Sequence, residues 1–391
     1  MFSDRCNWDL SPNRMALLLE AKRAAGEKVI DLTASNPTKA GFLFPEAKIR
    51  KAISQPGSIV YEPDSRGLRS ARRAVAAYYR QRGEEIDPDS IVLTAGTSEA
   101  YGFLFKLIGD PGDEVLIPHP GYPLLSYLSS LESLRYVYYP LRYCDTKGWR
   151  IDLEILSALI TSRTRAIVLV HPNNPTGSYV KQEEWEGINR LCEGQGIARI
   201  VDEVFYDFSS ERAPDRVRSV SNDSGALTFL LNGFSKILGL PQMKLGWIVT
   251  AGDPGFSRPA GERLETIADF YLSVGTPVQL AAESLLLERK SIQEQIQARL
   301  LENEAWLKRQ AAKTSNFRVL IREGGWYAVL SVTHPSADEE IACRLLETEN
   351  TLIHPGSFYE FHRDGFFVVS LLTPPDVFRE GATRFFSCFG V

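Results

Sequence analysis

The residues best placed by type and spacing to do chemistry lie in four short segments, each following an apolar run. Thr94-Ala-Gly-Thr-Ser-Glu-Ala100 is a small-residue turn leading into a helix-forming stretch. Its backbone N–H groups, with the hydroxyls of Thr97 and Ser98, suit a phosphate at a helix start, and equally an ordinary N-cap. His171-Pro-Asn-Asn-Pro-Thr-Gly177 ends a run in a rigid turn that either holds the Asn174 amide over a crevice or simply reverses the chain. In Ile200-Val-Asp-Glu-Val-Phe-Tyr206, Asp202 closes a strongly apolar stretch. A carboxylate there is costly unless it meets a cation or a donor, and a structural ion pair is the plain alternative. Lys236, in Gly233-Phe-Ser-Lys-Ile-Leu-Gly239, follows another apolar run among small and apolar neighbours. An ammonium loses solvation in such surroundings and the amine becomes a nucleophile for a carbonyl, unless the side chain snorkels outward.

Strands must position these segments, and the sequence supplies them. Short apolar runs recur at Ile91–Thr94, Glu114–Pro118, Ala166–Val170, Arg199–Val201, Leu227–Leu231 and Gly246–Thr250, with helical segments such as Glu99–Ile108 and Glu183–Cys192 between several of them. Continuously apolar strands alternating with helices predict a mostly parallel sheet covered on both faces, whose chemistry belongs at the carboxyl ends of the strands. Ser11 and Pro12 read as the cap and first turn of an opening helix that runs to Gly26. Residues 284 to 313 read as one long polar helix, followed by short strands at Phe317–Ile321, Trp326–Val332 and Phe366–Leu371, a second and smaller α+β unit that also takes in the N-terminal segment.

Composition narrows the rest. The 391 residues carry 44 Lys+Arg against 49 Asp+Glu, a net charge of −5, which offers nothing to nucleic acid. Five cysteines without a CxxC pair, and five histidines without metal spacing, predict neither a disulfide framework nor a metal site, and fit a reducing, cytoplasmic setting. The charged N-terminus lacks a signal peptide's apolar stretch, and no run is long enough to span a membrane. The arginines between Arg66 and Arg82 read as a solvated helix face, and His119 and His171 as possible walls of the crevice.

The order of the four segments is more specific than any one of them. A phosphate turn, an Asn, a buried acid and a sheltered Lys answer the phosphate, ring hydroxyl, ring nitrogen and carbonyl of pyridoxal phosphate. Together with Asn36-Pro37, Tyr61, Gly67-Leu-Arg69, Pro118-His-Pro-Gly-Tyr-Pro123, Leu245-Gly-Trp247 and Gly324-Gly-Trp326, they make the chain resemble the fold type I pyridoxal-phosphate enzymes, and among them the class I/II, aspartate aminotransferase-like family, from about Asp31 to Leu372. The resemblance implies an α/β fold: a large domain over 45–283 built on a mostly parallel seven-stranded sheet, and a small domain from 1–44 and 284–391. It implies that Lys236 carries pyridoxal 5′-phosphate as a Schiff base and shuttles a proton, that Asp202 pairs with the ring nitrogen, and that Tyr122 stacks on the ring as a third catalytic residue. Gly96, Thr97, Ser98, Ser235 and Lys244 would hold the phosphate. Asn174 would contact the ring hydroxyl and, with Ser35, the substrate. Tyr61 would reach the phosphate of a neighbouring subunit, making a homodimer part of the site.

Four departures bear on function. Phe205 stands where the family usually has a tyrosine that bonds the ring hydroxyl, Lys244 where it has a phosphate-binding arginine, and Gly233 where it has a hydroxyl residue. Val368 takes the place of the arginine that grips the substrate α-carboxylate, which leaves that role to Arg363 or His362, or points to a substrate without a conventionally bound carboxylate. The expected activity is amino-group transfer between an amino acid and a 2-oxo acid. A carbon–sulfur lyase or decarboxylase on the same scaffold is the alternative, and a cofactor-sensing regulator is disfavoured because no recognition-helix pair precedes the motifs.

Overall fold

In the computed structural model, which describes residues 2–210, 215–218, 225–334 and 336–389, the apolar runs become strands of one sheet. Its strands are β1 (Ile91–Thr94), β2 (Glu114–His119), β3 (Arg135–Cys144), β4 (Gly148–Ile151), β5 (Thr164–Val170), β6 (Ala198–Asp202), β7 (Thr228–Gly233) and β8 (Gly246–Ala251). They lie in the order β1-β8-β7-β6-β5-β2-β3-β4. The five strands β7, β6, β5, β2 and β3 pair in parallel, and β4 closes one edge as an antiparallel hairpin partner of β3. The sheet thus has one strand more than the seven expected. At the other edge β8 runs opposite to both β7 and β1, so β1 points the same way as the parallel strands. Gly96, Asn174, Asp202 and Lys236 therefore all emerge at the carboxyl edge.

Alternation along each strand splits the core into two layers. Val92, Ile117, Val168, Ile200, Leu231 and Ile248 face one way and pack with Phe103, Leu104 and Leu264 of the helices Thr97–Ile108 and Pro254–Asp269. Leu93, Leu116, Leu169, Val201, Leu230 and Trp247 face the other way, against Val75 and Tyr79 of the helix Arg69–Arg80 and Ala281 and Leu285 of the helix Thr276–Leu287. Each such side chain contributes about 1.5–3 kcal/mol when fully buried, so the carboxyl edge is a stiff platform.

The smaller sheet has β9 (Phe317–Val319), β10 (Tyr327–Val332), β11 (His354–Pro355) and β12 (Phe366–Ser370), all antiparallel, in the order β9-β10-β12-β11. The N-terminal segment joins this part: Ile30–Asp31 pairs in parallel with Thr351–Leu352. Two boundaries differ from expectation. The opening helix is Arg14–Ala24, capped by Asn13, whose Oδ1 accepts the Ala16 N–H at 2.8 Å; Ser11 instead donates its N–H to Asp9. The polar helix begins at Arg289, because residues 276–287 form a separate, apolar helix ending at Glu288. Among the described residues, no helix is long and apolar enough to cross a membrane, and no group of His, Cys, Asp and Glu is arranged to hold a metal.

The arginine-rich helix meets its expectation in part. Arg69, Arg73 and Arg80 are exposed, but Arg72 goes in with the Ala and Tyr positions of the buried face. Arg72 donates to Gly67 O at 2.9 Å and to Asp89 Oδ1 at 2.8 Å. Arg82, just past the helix, lies 3.8 Å from the Tyr206 ring centre and pairs with Glu84 and Glu203, each at 2.8 Å. A buried guanidinium needs such acids, and the chain provides them.

The two parts join where Gly177 meets the segment before Trp326. Gly177 O accepts the Gly324 N–H at 2.9 Å, Gly177 has φ +71°, and a Cβ there would lie 2.4 Å from Gly324 O. Backbone cannot yield as a side chain can. Gly177→Ala is expected to lower unfolding stability by at least about 2 kcal/mol through left-handed strain plus that clash; an unchanged denaturation midpoint would show that the joint has slack.

Candidate functional site

The carboxyl edge opens into a cavity of about 470 Å³. Its wall gathers Gly96, Thr97, Ser98, Tyr122, Asn174, Asp202, Ser235, Lys236 and Lys244 from the large sheet's loops, with Ser35 from the N-terminal segment and Tyr327 from β10. Of the cofactor- and substrate-binding residues that the resemblance implies, all line this wall except Tyr61, which lines a separate groove and is 72% exposed.

One end of the cavity is built for an anion. Gly96 caps the helix Thr97–Ile108 without a side chain, and a Cβ there would meet nothing within 4 Å, so the helix start faces open room. Gly246 on β8 lets the turn come this close, since its own Cβ would lie 3.0 Å from Gly96. The helix start, the Ser98 and Ser235 hydroxyls and the Lys244 ammonium line the same cavity, and a helix dipole with such groups suits an anion. Lys244 holds a left-handed backbone, φ 50° and ψ 51°, a strain that a non-glycine residue carries only where the surroundings impose it.

The floor carries the charges. Asp202 is buried, and burial pushes its carboxyl up to about 6, against the pull of the Val204 N–H, the Tyr101 hydroxyl and Lys236. Burial likewise lowers Lys236, and Asp202 opposes that shift. Lys236 Nζ sits 5.5 Å from the Phe205 ring centre and 5.1 Å from that of Trp326, so its neighbours are apolar faces and one acid. An amine so placed releases its proton more readily than a surface lysine. Asn174 Oδ1 is buried without a hydrogen-bond partner and lines the cavity. Such an orphan acceptor fits a ligand hydroxyl.

Other expectations resolve differently. His171 lines no crevice: Val180 N–H donates to its Nδ1 at 2.9 Å, its Nε2 lies 3.1 Å from Val217 O, and burial pushes it down to about 3, so it is a neutral structural imidazole. His119 stacks on Tyr138 outside the cavity. Tyr206 does not supply the hydroxyl missing at Phe205, because its OH donates to Arg218 O at 2.7 Å. Val368 is fully buried between Val329 and His354 in the small sheet, and neither Arg363 nor His362 lines the cavity. Among the described lining residues the cations are Lys236 and Lys244. Sequence reasoning missed Tyr101, Tyr327 and the pairing of Glu203 with Arg82. Tyr101 was findable as a lone hydroxyl among apolar positions of its helix, whereas Tyr327 needed the fold to bring β10 to the site.

These groups suit a ligand with a phosphate at one end and a ring nitrogen, hydroxyl and carbonyl at the other. The profile of the aminotransferase class I and II family matches residues 27–385. The chain is 33% identical over 305 residues to the glutamate–pyruvate aminotransferase of Escherichia coli, covering 75% of this chain and 73% of that protein. It is 30% identical over 350 residues to the alanine aminotransferase of Mycobacterium bovis, covering 86% and 80%. The structure of an alanine aminotransferase from Pyrococcus furiosus superposes over the whole of both chains with a TM-score of 0.88 at 26% identity. With the motifs, the sheet order and the cavity in one arrangement, the chain belongs to the class I and II aminotransferases.

Proposed function

We propose that this aminotransferase works with pyridoxal 5′-phosphate in the cavity between β1, β5, β6 and β7, and exchanges an amino group between an amino acid and a 2-oxo acid. The observation that carries the proposal is the shared wall: one cavity holds Lys236, Asp202, the unpartnered Asn174 Oδ1 and the open helix start at Gly96. When bound, pyridoxal phosphate supplies an electron sink for the substrate's α-carbon. Lys236 Nζ, with its proton affinity lowered by burial, would hold the group by its carbonyl and, when free, would move the proton at the substrate α-carbon. Asp202 holds a proton on the ring nitrogen through its carboxylate. Asn174 bonds the ring hydroxyl, Tyr122 covers the ring face, and Gly96 to Ser98 with Ser235 and Lys244 bind the phosphate. Ser35, which shares the cavity wall with Tyr327, and Asn174 meet the substrate. Ile59, Val60 and Tyr61 are exposed, as are Phe270, Tyr271 and Leu272, a patch whose apolar area supports a homodimer with Tyr61 serving the partner's site.

Glutamate and alanine are the donors to try first, with pyruvate and 2-oxoglutarate as acceptors, since the relatives are named for such exchanges. The proposal predicts stoichiometric exchange of amine for oxo group. Release of ammonia with pyruvate, or of carbon dioxide, in place of exchange would assign the chain to lyase or decarboxylase chemistry.

Lys244 gives a prediction in which stability and binding part company. Lys244→Gly relieves the left-handed strain and is expected to raise unfolding stability by up to about 1 kcal/mol. The same change removes the cation at the phosphate end and is expected to weaken pyridoxal-phosphate binding by about tenfold. Thermal denaturation of the cofactor-free protein and spectrophotometric cofactor titration read the two effects separately; unaltered cofactor affinity would remove Lys244 from the phosphate site.

A further inference from the structure

Tyr101 sits one turn into the helix Thr97–Ile108, buried, and its hydroxyl donates to Asp202 Oδ2 at 3.0 Å. The other carboxylate oxygen, Oδ1, accepts the Val204 N–H at 3.1 Å. The carboxylate is therefore held at both ends, by a side chain from a neighbouring element and by the backbone of its own turn. An ionised carboxylate offers about four acceptor positions, so two donors leave room for a third from the cavity. Tyr101 is itself fixed: its ring centre lies 5.7 Å from that of Phe105, within the apolar layer formed by Val92, Phe103 and Ile200. A phenol placed in that layer has Asp202 as its partner, and a phenylalanine would satisfy the packing alone.

We infer that Tyr101 is a positioning residue, which holds the Asp202 carboxylate in one orientation and in its ionised form toward the cofactor's ring nitrogen. The inference rests on reading the cavity as a pyridoxal-phosphate site. The titratable groups that face Asp202 are Tyr101 from the helix, Lys236 from the turn after β7 and Tyr122 from the loop after β2. Burial raises the Tyr101 phenol well above its ordinary range, so it remains a donor throughout the working range of pH. Lys236 faces the same cavity and is the group that must engage a carbonyl. Of the two side chains that favour the ionised form of Asp202, Tyr101 bonds the carboxylate directly and Lys236 acts through space. Glu203, the next residue along, is turned away to Arg82 at 2.8 Å.

The test is Tyr101→Phe, which keeps the ring and removes one hydroxyl. Infrared difference titration of the full cofactor-free chain, with Asp202→Asn as the subtracted reference, reads the protonation of Asp202 directly. The expected result is a midpoint displaced upward from that of the native chain measured alongside, together with about tenfold weaker pyridoxal-phosphate binding in a spectrophotometric titration, as befits a lost hydrogen bond to a charged group. A fluorinated tyrosine at position 101, with a more acidic phenol, is expected to displace the midpoint downward, and it keeps the test open should the phenylalanine variant fold poorly. A midpoint unmoved by either change overturns the inference and leaves Tyr101 as packing. If the native chain binds no pyridoxal phosphate, the cofactor reading fails on its own, while the infrared titration still decides whether Tyr101 controls Asp202.

Discussion

Lys236→Ala is expected to abolish turnover, by at least about 10³-fold, and to eliminate the visible absorbance that the native protein acquires with pyridoxal phosphate. The argument is local. Among the described residues Lys236 is the one cation on the cavity floor beside Asp202, set against the faces of Phe205 and Trp326. Burial already disfavours its ammonium form, so alanine removes a desolvated amine and leaves the fold standing. What disappears is the atom that binds the carbonyl and moves the proton. The other described cation in the wall, Lys244, is proposed to bind the phosphate and is no substitute. Turnover retained by a correctly folded Lys236→Ala protein would sink the mechanism.

Asp202→Asn is expected to move activity and stability in opposite directions. In the folded chain burial keeps the Asp202 proton bound up to about pH 6, against an ordinary value of 3.8. Between those values the folded state binds more protons than the unfolded chain, so stability falls as pH rises from about 4 to about 6 and stays at the lower level above. An uncharged isostere removes that penalty, which the two values place at roughly 1–3 kcal/mol once the attraction of Lys236 is set against it. Cofactor-free Asp202→Asn protein is therefore expected to be more stable than the native protein at pH 7 and no more stable at pH 4. Activity is expected to drop by about 10²-fold or more, because an amide cannot keep the ring nitrogen protonated. Denaturation at the two pH values and steady-state rates give both readings. Unimpaired activity would show that the acid of the site lies elsewhere.

What the sequence made legible follows from how local each signal is. Strands β5, β6 and β7 are apolar on both faces and were readable as buried. Strand β3 was not, because it lies near the sheet edge with eight of its ten residues exposed or half-buried, and the hairpin to β4 depends on that exposed strand. The residues of the cavity that come from strand ends, Asn174, Asp202 and Lys236, were found because a polar group closing an apolar run is conspicuous. Tyr327 and Ser35 were harder, since only the docking of the small sheet and the N-terminal segment brings them to the same wall. The arginines near Arg82 misled for a related reason: charge patterning along one helix does not reveal that Glu84 and Glu203 wait for it under Tyr206. Position 368 shows the limit in the other direction. Its valine is buried in the small sheet, and no described arginine lines the cavity in its place, so this strand presents no cation to a substrate carboxylate.

The measurement that bears most directly on the account is chemical trapping. The full chain is loaded with pyridoxal phosphate, reduced with borohydride, digested, and its peptides are mapped by mass spectrometry. The account predicts one modified peptide, carrying the reduced pyridoxyl group on Lys236, and its loss when an amino donor is added before reduction. Modification of Lys244 or of surface lysines with Lys236 untouched, or no modification at all, would contradict it.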